Sequence, residues 1–591
     1  MGHWYFLRAR LIAIVGLVFL PLAPALAQST APAPVRAAVD EYGVDLFDGT
    51  YSAAGPALTM GGEDNGISYR RTNRGDGWSD STIGYLQLDG NKMTVSIGGL
   101  SDTFTDEGGS YESTEWNGST LTYSSGLYTY TRSDGTVAHF DETRFNEDAP
   151  YGNKGTITDM VMPDGTRLDY SYSSITYCKQ SKPSASGYIC LVTAKAYRLA
   201  KVTSSYGYEL RPVYPYYEWF YDPFDAPVLP DFGTYRKVLG MTGHNLASDT
   251  NAAVRSQSFD VVYDAGSNWY TITDDLSRDT RYKMAGAAVA GIKLPGSTSE
   301  DISFTYTSGK VTAVTTPAGT TSYARSDSAG QRTVTVTHPL SRVETYVFDI
   351  ASRRLKSYTD PVGKTTTYQY DGNGRVTRIT APEGNQVRYT YDSRGNVTEQ
   401  RMVAKTAGSP PDIVTTAGYD SSCSNPVKCN SPNWTKDALG KQTDYTYDAT
   451  HGGVLTVTGP APSTGAARPQ VRYSYSSYQA YYKHGSTSPT ASGVPVYRMT
   501  QVSTCISGSS CTGTADEVKT TVSYGPQTSG TGNNLLPVSV TKQSGDGSLT
   551  ATTAMSYDAV GNLVSVDGPL SGTADTTVVR YDALRRKVGT I

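Results

Sequence analysis

A tyrosine, an aspartate and a glycine recur at one fixed spacing in the carboxy-terminal half of this 591-residue chain. The stretch from residue 365 to residue 400 reads TTTYQYDGNGRVTRITAPEGNQVRYTYDSRGNVTEQ, and its markers return after 21 residues. The pairs related by this shift are Tyr370 and Tyr391, Asp371 and Asp392, Gly374 and Gly395, Gly363 and Gly384, and Pro361 and Pro382. Because separate markers share one shift, the sequence indicates an internal repeat of a single supersecondary unit.

Each unit predicts two short strands joined by a tight turn. Val387 and Tyr391 lie on the same face of one strand by the period of two, and the return strand begins just after the glycine. Asp392 is expected to accept hydrogen bonds from backbone N–H groups within the turn, and Gly395 to adopt the positive φ that closes it. The tyrosine is expected to pack its ring while its hydroxyl stays near water, and Arg394 is expected to be exposed.

Similar units and the composition predict an almost entirely β-stranded protein. Forty-five tyrosines against 12 phenylalanines favour strands, while 59 glycines and 30 prolines favour frequent turns and oppose long helices. Earlier in the chain, D-G turns at residues 134–135 and 164–165 indicate further hairpins. The later repeat-turn residues are Tyr447, Asp448, Tyr557, Asp558, Gly561, Tyr581 and Asp582. We therefore expect antiparallel hairpins nearly end to end, with negligible helix after the amino terminus.

At these Y-D-x-x-G-N-V/L units the chain resembles the RHS/YD-repeat family. The resemblance covers residues 302–591 well and extends more diffusely from Val44. It implies a long antiparallel sheet that spirals into a shell, as in insecticidal toxin complexes, bacterial polymorphic toxins and teneurin adhesion proteins. In the toxins the shell encloses a carboxy-terminal effector. Because this sequence stops inside a unit opened by Tyr581, we expect it to be the amino-terminal portion of a larger protein, with an effector encoded downstream as a partner.

The amino terminus resembles a secretory signal peptide. Arg8 and Arg10 precede an apolar run from Leu11 to Leu22, and the small-residue pattern Ala25-Leu26-Ala27 follows. The run is short for a membrane span, which favours cleavage after Ala27 over an uncleaved anchor. The predicted organisation is a signal peptide at 1–27, a linker at 28–40, an amino-terminal β-rich region at 41–300 and a YD-repeat array at 301–591. The mature protein is expected in the periplasm, at the cell surface or secreted, without a transmembrane span.

Six cysteines fall into three close pairs, which in an exported chain predict local disulfides. The pairs are Cys178 with Cys190, Cys423 with Cys429, and Cys505 with Cys511. The alternative is metal binding. It is disfavoured because no C-x-x-C spacing occurs and the histidine nearest in sequence to any pair is His484.

No catalytic constellation or cofactor motif is present in the sequence, which predicts a protein without enzymatic activity. Neither H-E-x-x-H nor G-x-S-x-G occurs, and Tyr358 stands where a phosphate loop ending at residues 363–365 needs its first glycine. A partial calcium-loop pattern begins at Asp371, but Arg375 and Pro382 occupy ligand positions. Lysines and arginines are scattered and the net charge is −4, so nucleic-acid binding is not expected.

The tyrosines leave one functional alternative open. Rings on a solvent-facing sheet surface can stack on sugars, whereas rings on the inner face would pack a core. The first arrangement predicts a carbohydrate-binding cell-surface adhesin, whose partners are glycans or proteins. The second predicts a non-enzymatic shell. The sequence does not distinguish an inner face from an outer one.

Overall fold

The structure is a computed structural model that describes residues 39–591 except 63–65, 99, 115–116, 145–153, 185–186, 218–230, 248–252, 265, 407, 484–486, 506–509 and 583–586. The predicted signal peptide, and all but the last two residues of the predicted linker, lie outside the described residues. In the described part of the chain, no helix is long and apolar enough to span a membrane.

The strands before residue 300 are short at first, and the longest of them are β14 and β15, with 18 residues each. They are β1 Ala53–Ala54, β2 Leu58–Met60, β3 Ile67–Tyr69, β4 Arg71–Asn73, β5 Trp78–Asp80, β6 Gly84–Asp89, β7 Lys92–Ile97, β8 Leu100–Asp106, β9 Tyr111–Ser113, β10 Thr120–Ser124, β11 Leu127–Thr131, β12 Val137–Asp141, β13 Gly155–Val161, β14 Arg167–Ser184, β15 Gly187–Ser204, β16 Tyr208–Val213, β17 Gly240–Asn245, β18 Arg255–Asp264, β19 Ser267–Asp274, β20 Asp279–Ala285 and β21 Ala288–Lys293.

After residue 300 the strands lie on either side of the repeat turns. They are β22 Ile302–Thr307, β23 Lys310–Thr316, β24 Gly319–Ser328, β25 Gln331–Thr337, β26 Val343–Asp349, β27 Leu355–Thr359, β28 Thr365–Tyr370, β29 Val376–Thr380, β30 Gln386–Tyr391, β31 Val397–Val403, β32 Ile413–Gly418, β33 Trp434–Lys436, β34 Gln442–Tyr447, β35 Val454–Thr458, β36 Gln470–Tyr482, β37 Thr490–Cys505, β38 Glu517–Tyr524, β39 Pro537–Ser544, β40 Thr550–Tyr557, β41 Leu563–Asp567, β42 Thr577–Tyr581 and β43 Lys587–Thr590. The described helical segments are α1 (Phe232–Tyr235) and a 3-10 turn at Pro339–Ser341.

One open antiparallel sheet contains 38 of these strands. From β10 onward each strand pairs with the next, and the meander β6–β9 joins the sheet where β6 pairs with the start of β13. β2 pairs with β3, and β1, β4 and β5 form a small separate sheet. The all-β prediction is confirmed. Pairing continues across residue 300, where Ile292 of β21 lies opposite Ile302 of β22, so the change in repeat sequence there does not interrupt the sheet.

The sheet spirals, and its later strands stack on its earlier ones. The Asn430 side chain, between β32 and β33, donates to the backbone carbonyl of Ser133, between β11 and β12, at 3.0 Å. The side chain of Asn245, the last residue of β17, donates to the side chain of Asn533, between β38 and β39, at 3.1 Å. Each contact joins connections 21 strands apart. One turn of the spiral therefore takes 21 strands, and the strands after β31 form a second tier.

Each tier has two edges, which we name by their turns. The Y-D edge carries the connections from even-numbered to odd-numbered strands, among them the turns at Asp371, Asp392 and Asp558. The seating edge carries the connections from odd to even strands, such as the turns at 133–135 and 360–364. At each of the stacking contacts above, the Y-D edge of the second tier lies on the seating edge of the first.

An amino-terminal segment, residues 44–82, covers one face of the sheet and supplies much of the core. Its Val44, Leu46 and Tyr69 are fully buried. Its aromatic rings pack on rings of the sheet in the pairs Phe47 with Phe348, Tyr51 with Phe304, Tyr69 with Phe259, and Trp78 with Tyr270. These contacts join residues about 190 to 300 positions apart, because the sheet curves around the segment.

Candidate functional site

The repeat turn is built around one carboxylate and one glycine. Asp392 Oδ1 accepts the backbone N–H groups of Arg394 and Asn396, each at 2.9 Å. The Gly395 N–H donates to the Asp392 carbonyl at 3.2 Å, and Gly395 has φ +93°. A side chain at this φ is strained, so the glycine is required by the backbone conformation.

The same geometry returns in the other units. Asp371 Oδ1 accepts the N–H groups of Asn373 and Arg375, and Gly374 has φ +81°. Burial alone would raise the pKa of Asp371, but hydrogen bonds from the Arg375 backbone and guanidinium hold this pKa below its usual value. The turn of Asp558 follows the pattern: Asp558 accepts from Val560 and Asn562, and Gly561 has φ +90°. The turn of Asp448 is one residue longer, and its carboxylate accepts from Thr450 and His451. The turn residues 583–586, which follow Asp582, lie outside the described part.

The residue after the glycine completes the turn through a side-chain hydrogen bond that the repeat pattern did not predict. The Asn396 amide donates to Asp392 Oδ2 at 2.9 Å, and the Asn562 amide donates to the corresponding oxygen of Asp558 at 2.8 Å. In the unit of Asp371 the equivalent residue is an arginine, whose guanidinium donates to Oδ2 at 2.8 Å. The recurrent asparagine therefore donates a hydrogen bond to the second oxygen of the turn carboxylate, and an arginine at this position can donate the same bond.

Each repeat tyrosine ties its hairpin to the previous one. The Tyr391 hydroxyl donates to the carbonyl of Val376 at 2.6 Å. The other repeat tyrosines do the same: Tyr370 to Leu355 at 2.7 Å, Tyr447 to Pro432 at 2.8 Å, Tyr557 to Pro537 at 2.8 Å and Tyr581 to Leu563 at 2.9 Å. Burial raises the pKa of Tyr370, Tyr391 and Tyr557 to about 12. These hydroxyls therefore link neighbouring hairpins. The prediction that they stay near water is wrong.

A β-bulge places each of these tyrosines at the end of its strand. The register of β30 and β31 shifts between Thr390 and Tyr391, so that Tyr391 lies opposite Val397. The corresponding shift occurs at Tyr370, Tyr447, Tyr557 and Tyr581. Because a bulge adds local twist and redirects a side chain, the repeated bulges orient each ring toward the preceding hairpin.

The expectation that Arg394 is exposed is wrong. Its side chain is mostly buried, at 18% exposure. The guanidinium donates to the Asn430 side chain at 3.1 Å and to the Asp420 carbonyl at 2.5 Å. Arg394 thereby joins its turn to the connection between β32 and β33, and the exposed position of the turn is Ser393.

The tyrosines lie on the packed face of the sheet. In β30 the face of Val387, Tyr389 and Tyr391 is buried or half-buried, and the alternate residues Arg388 and Thr390 are exposed. Tyr346, Tyr358 and Tyr368 pack against the core that contains the amino-terminal segment. The opposite face carries hydroxyl pairs across neighbouring strands: Thr359 with Thr365, Thr390 with Thr398, Thr446 with Thr456, and Thr541 with Thr552. Among the described residues, Tyr123 and Tyr216 are the exposed aromatic side chains.

The structure joins the cysteines in the three local pairs. Disulfides link Cys178 with Cys190, Cys423 with Cys429, and Cys505 with Cys511. Asp516 lies near the last pair. Because a disulfide sulfur is not the thiolate that binds metal, this group is a loop closure and not a metal site.

Two buried ionic clusters are internally satisfied. Within the amino-terminal segment, Arg71 pairs with Asp80, whose carboxylate also accepts the Tyr69 hydroxyl. Glu209 is fully buried. Burial opposes its ionisation, but hydrogen bonds from Lys201, Thr203 and Arg211 lower the pKa of this carboxyl. Such paired groups stabilise structure and leave no free base or nucleophile within the cluster.

Comparison with known proteins identifies the repeat. The sequence model described as RHS Repeat matches residues 354–386 and 370–407. The chain is similar to the crystal structure of TcdB2-TccC3-Cdc42, with 12% identity over 90% of this chain and 27% of that chain and a TM-score of 0.31. It is also similar to that of TcdB2-TccC3-TEV, with 12% identity over 77% of this chain and 27% of that chain and a TM-score of 0.29. No curated protein matches the sequence.

Proposed function

We propose that this chain, whose residues 354–407 are RHS repeats, is an exported, non-enzymatic scaffold that forms the closed end of a protein shell. The observation that carries the proposal is the stacking of the second tier on the first. A sheet whose turns meet edge to edge after 21 strands makes a continuous wall. A wall of this kind separates an inner face from an outer one.

The width of the spiral supports a closed end. At about 4.8 Å per strand, 21 strands give a circumference of roughly 100 Å and a diameter of roughly 30 Å. Sheets packed face to face lie about 10 Å apart, so an interior of this width holds one further layer of chain. The segment 44–82, with its fully buried Val44, Leu46 and Tyr69, is that layer.

The orientation of the tyrosines favours a shell over a sugar-binding adhesin. Their rings pack on the same face as the amino-terminal segment, and their hydroxyls are engaged by backbone carbonyls. A stacking platform for sugars needs rings open to solvent. The exposed face presents threonine and serine pairs. On this proposal the tyrosines hold the wall together, and the partner is a polypeptide effector held in a wider part of the shell.

Hydrogen exchange of the secreted protein tests the closed end. Residues 44–60 form only short strands, which would exchange rapidly on an open surface. If the spiral encloses them, their amides exchange as slowly as those of β25 and β30. Rapid exchange at 44–60 combined with slow exchange in β25 and β30 would show an open sheet and contradict the proposal. For the effector, the secreted protein expressed with its downstream gene sequence is treated with protease, and a protected fragment beyond residue 591 is expected.

A further inference from the structure

The connection between β32 and β33 is a Y-D turn that carries an insertion. The Asp420 carboxylate accepts the side-chain amide of Asn433 at 2.9 Å. This asparagine follows its aspartate by 13 positions, whereas the asparagine of the regular turns follows by four. We call residues 421–432 the inserted loop. It contains the disulfide between Cys423 and Cys429.

The inserted loop contacts the first tier through two residues. The Asn430 side chain donates to the carbonyl of Ser133 at 3.0 Å. The Val427 backbone lies against Gly135 of the same first-tier turn, where an added Cβ would be 2.7 Å from the Val427 Cα. Because nonbonded carbon atoms pack at about 3.5 to 4.0 Å, a glycine at position 135 leaves room for the loop and a larger residue does not.

The inserted loop also contacts the neighbouring turns of its own tier. The Asn430 side chain accepts from Arg394 at 3.1 Å and from Asn396 at 3.0 Å. Toward the next turn of this edge, the Asn425 side chain donates to the carbonyl of Ala449 at 2.8 Å. The loop therefore joins two turns of the second tier to one turn of the first.

The disulfide is the main support of the inserted loop. The loop contains no strand of its own, and all of its residues are described. Lys428 pairs with Asp420 at 2.6 Å, but partly exposed ion pairs stabilise little. The bond between Cys423 and Cys429 closes a short ring, and Asn430 follows it directly. Because such a ring closure excludes most open conformations of a loop, the bond fixes the residues that contact the first tier.

The other two disulfides lie on the edges that face away from the tier contact. Cys178 and Cys190 are in the β14–β15 hairpin, whose turn belongs to the Y-D edge of the first tier. Cys505 ends β37, and Cys511 lies in the connection to β38, on the seating edge of the second tier. The tiers meet through the opposite edges, so these disulfides are internal controls for the first one.

The two cysteines of the inserted loop differ in accessibility. Cys423 is exposed, whereas Cys429 is fully buried. A thiolate of a dithiol reductant can therefore attack the Cys423 sulfur, and Cys429 leaves as a thiolate and takes up a proton. The second thiolate of the reductant then displaces Cys423 and closes the reductant's own disulfide. Two electrons and two protons have passed to the cysteine pair, which ends as two thiols.

We propose that the Cys423–Cys429 disulfide is a redox-sensitive link between the tiers. The oxidised bond holds the inserted loop on the first-tier turn at 133–135, and its reduction by thiols releases this contact. In an oxidising compartment the link stays closed, and a thiol-rich compartment opens it. The inference rests on the stacked wall of the proposed function, and it is independent of the closed end and of any effector.

Native-state hydrogen exchange of the full chain, with and without dithiothreitol, tests this link. The readout is the first-tier peptide 131–137, about 290 residues from the disulfide in sequence. Reduction is expected to speed exchange there about tenfold to 100-fold, the range in which a short disulfide ring shifts a local opening equilibrium. The double variant Cys423→Ser, Cys429→Ser should exchange equally fast without reductant and should not respond to it.

The matched controls are the corresponding double serine variants of the other two cysteine pairs. Both should exchange at 131–137 like the wild type without reductant, and both should still respond to it. A second variant tests the contact without changing a cysteine. Gly135→Ala is expected to speed exchange of the inserted loop about fivefold to 30-fold. Gly126→Ala should not, because Gly126 has nearly the same positive φ and an added Cβ there meets no atom within 4 Å.

Three results would overturn the proposal. The first is unchanged exchange at 131–137 when thiol labelling shows that Cys423 and Cys429 are reduced. The second is a control pair whose removal opens this contact as much as removal of Cys423 and Cys429. The third is equally accelerated exchange in β25 and β30, which would show general unfolding. Failure here is distinguishable from failure of the proposed shell, because the closed end is tested at residues 44–60 of the oxidised protein.

Discussion

Replacing Gly395 by valine should destabilise one hairpin of the array. Gly395 closes the turn between β30 and β31 at φ +93°, and its N–H donates to the Asp392 carbonyl. Valine is branched at Cβ and is strongly disfavoured at positive φ. The substitution therefore either strains the turn or breaks it.

The expected magnitude follows from the backbone strain. A residue held in a sparsely populated region of φ and ψ costs about 1 to 3 kcal/mol. If the turn opens instead, the two backbone hydrogen bonds to Asp392 Oδ1 are also weakened, at about 0.5 to 1.5 kcal/mol each. A loss of 1 to 3 kcal/mol corresponds to an increase in the local opening constant of about fivefold to 150-fold.

Native-state hydrogen exchange measures this opening in the full chain. Amides of β30 and β31 should exchange faster by this factor in Gly395→Val. Gly372 is the matched control because it lies in the neighbouring turn without positive φ, and an added Cβ there meets no atom within 4 Å. Gly372→Val should leave exchange in its hairpin within about twofold of wild type. Equal exchange in the two variants would refute the positive-φ explanation of the repeated glycine.

Four further predictions follow from the described contacts. Tyr391→Phe removes the hydrogen bond to the Val376 carbonyl and should cost about 1 kcal/mol, measured by exchange of β29 and β30 amides, whereas Tyr123→Phe should not change them. Because burial raises the pKa of Tyr370, Tyr391 and Tyr557 to about 12, the folded state favours the protonated hydroxyl. This stabilisation is complete below the usual tyrosine pKa of about 10 and is lost as pH rises toward 12. The urea concentration at the midpoint of unfolding should therefore fall across that range. A midpoint that does not change with pH would contradict the tyrosine contacts. Peptide mapping without reductant should find Cys178–Cys190, Cys423–Cys429 and Cys505–Cys511 and no cross-pair. Amino-terminal sequencing of exported protein should begin at Gln28, and a sequence that begins at Met1 would contradict cleavage.

The local structure could be read from the sequence because it depends on nearby residues. The aspartate, the glycine and the alternating tyrosines lie within one hairpin, and each acts on groups a few positions away. Turn chemistry and period-two patterning suffice for such an element. The acceptor of the tyrosine hydroxyl was missed because it belongs to the preceding hairpin, 15 residues earlier for Tyr391.

The tier contacts could not be read from the sequence, because they depend on the curvature of the whole sheet. Arg394 looked like an exposed turn residue, yet its guanidinium contacts Asn430 in the next connection of the same edge. Asn430 in turn donates to the carbonyl of Ser133, 297 residues earlier, and only the spiral brings these two residues together. The burial of Val44 and Leu46 by strands about 300 residues away has the same origin. Small twists between neighbouring strands accumulate over 21 strands, and no local pattern records their sum.

The distance between two turns in different tiers tests the spiral most directly. Spin labels at Asp134, between β11 and β12, and at Ser424, between β32 and β33, lie on connections that the structure stacks through Ser133 and Asn430. Pulsed electron paramagnetic resonance on the full chain should give a separation of about 20 Å, since stacked turns differ by little more than the reach of the labels. In an uncoiled sheet the same turns would be 21 strands apart, roughly 100 Å at 4.8 Å per strand. A separation near the larger value, or no measurable coupling, would contradict the stacked tiers.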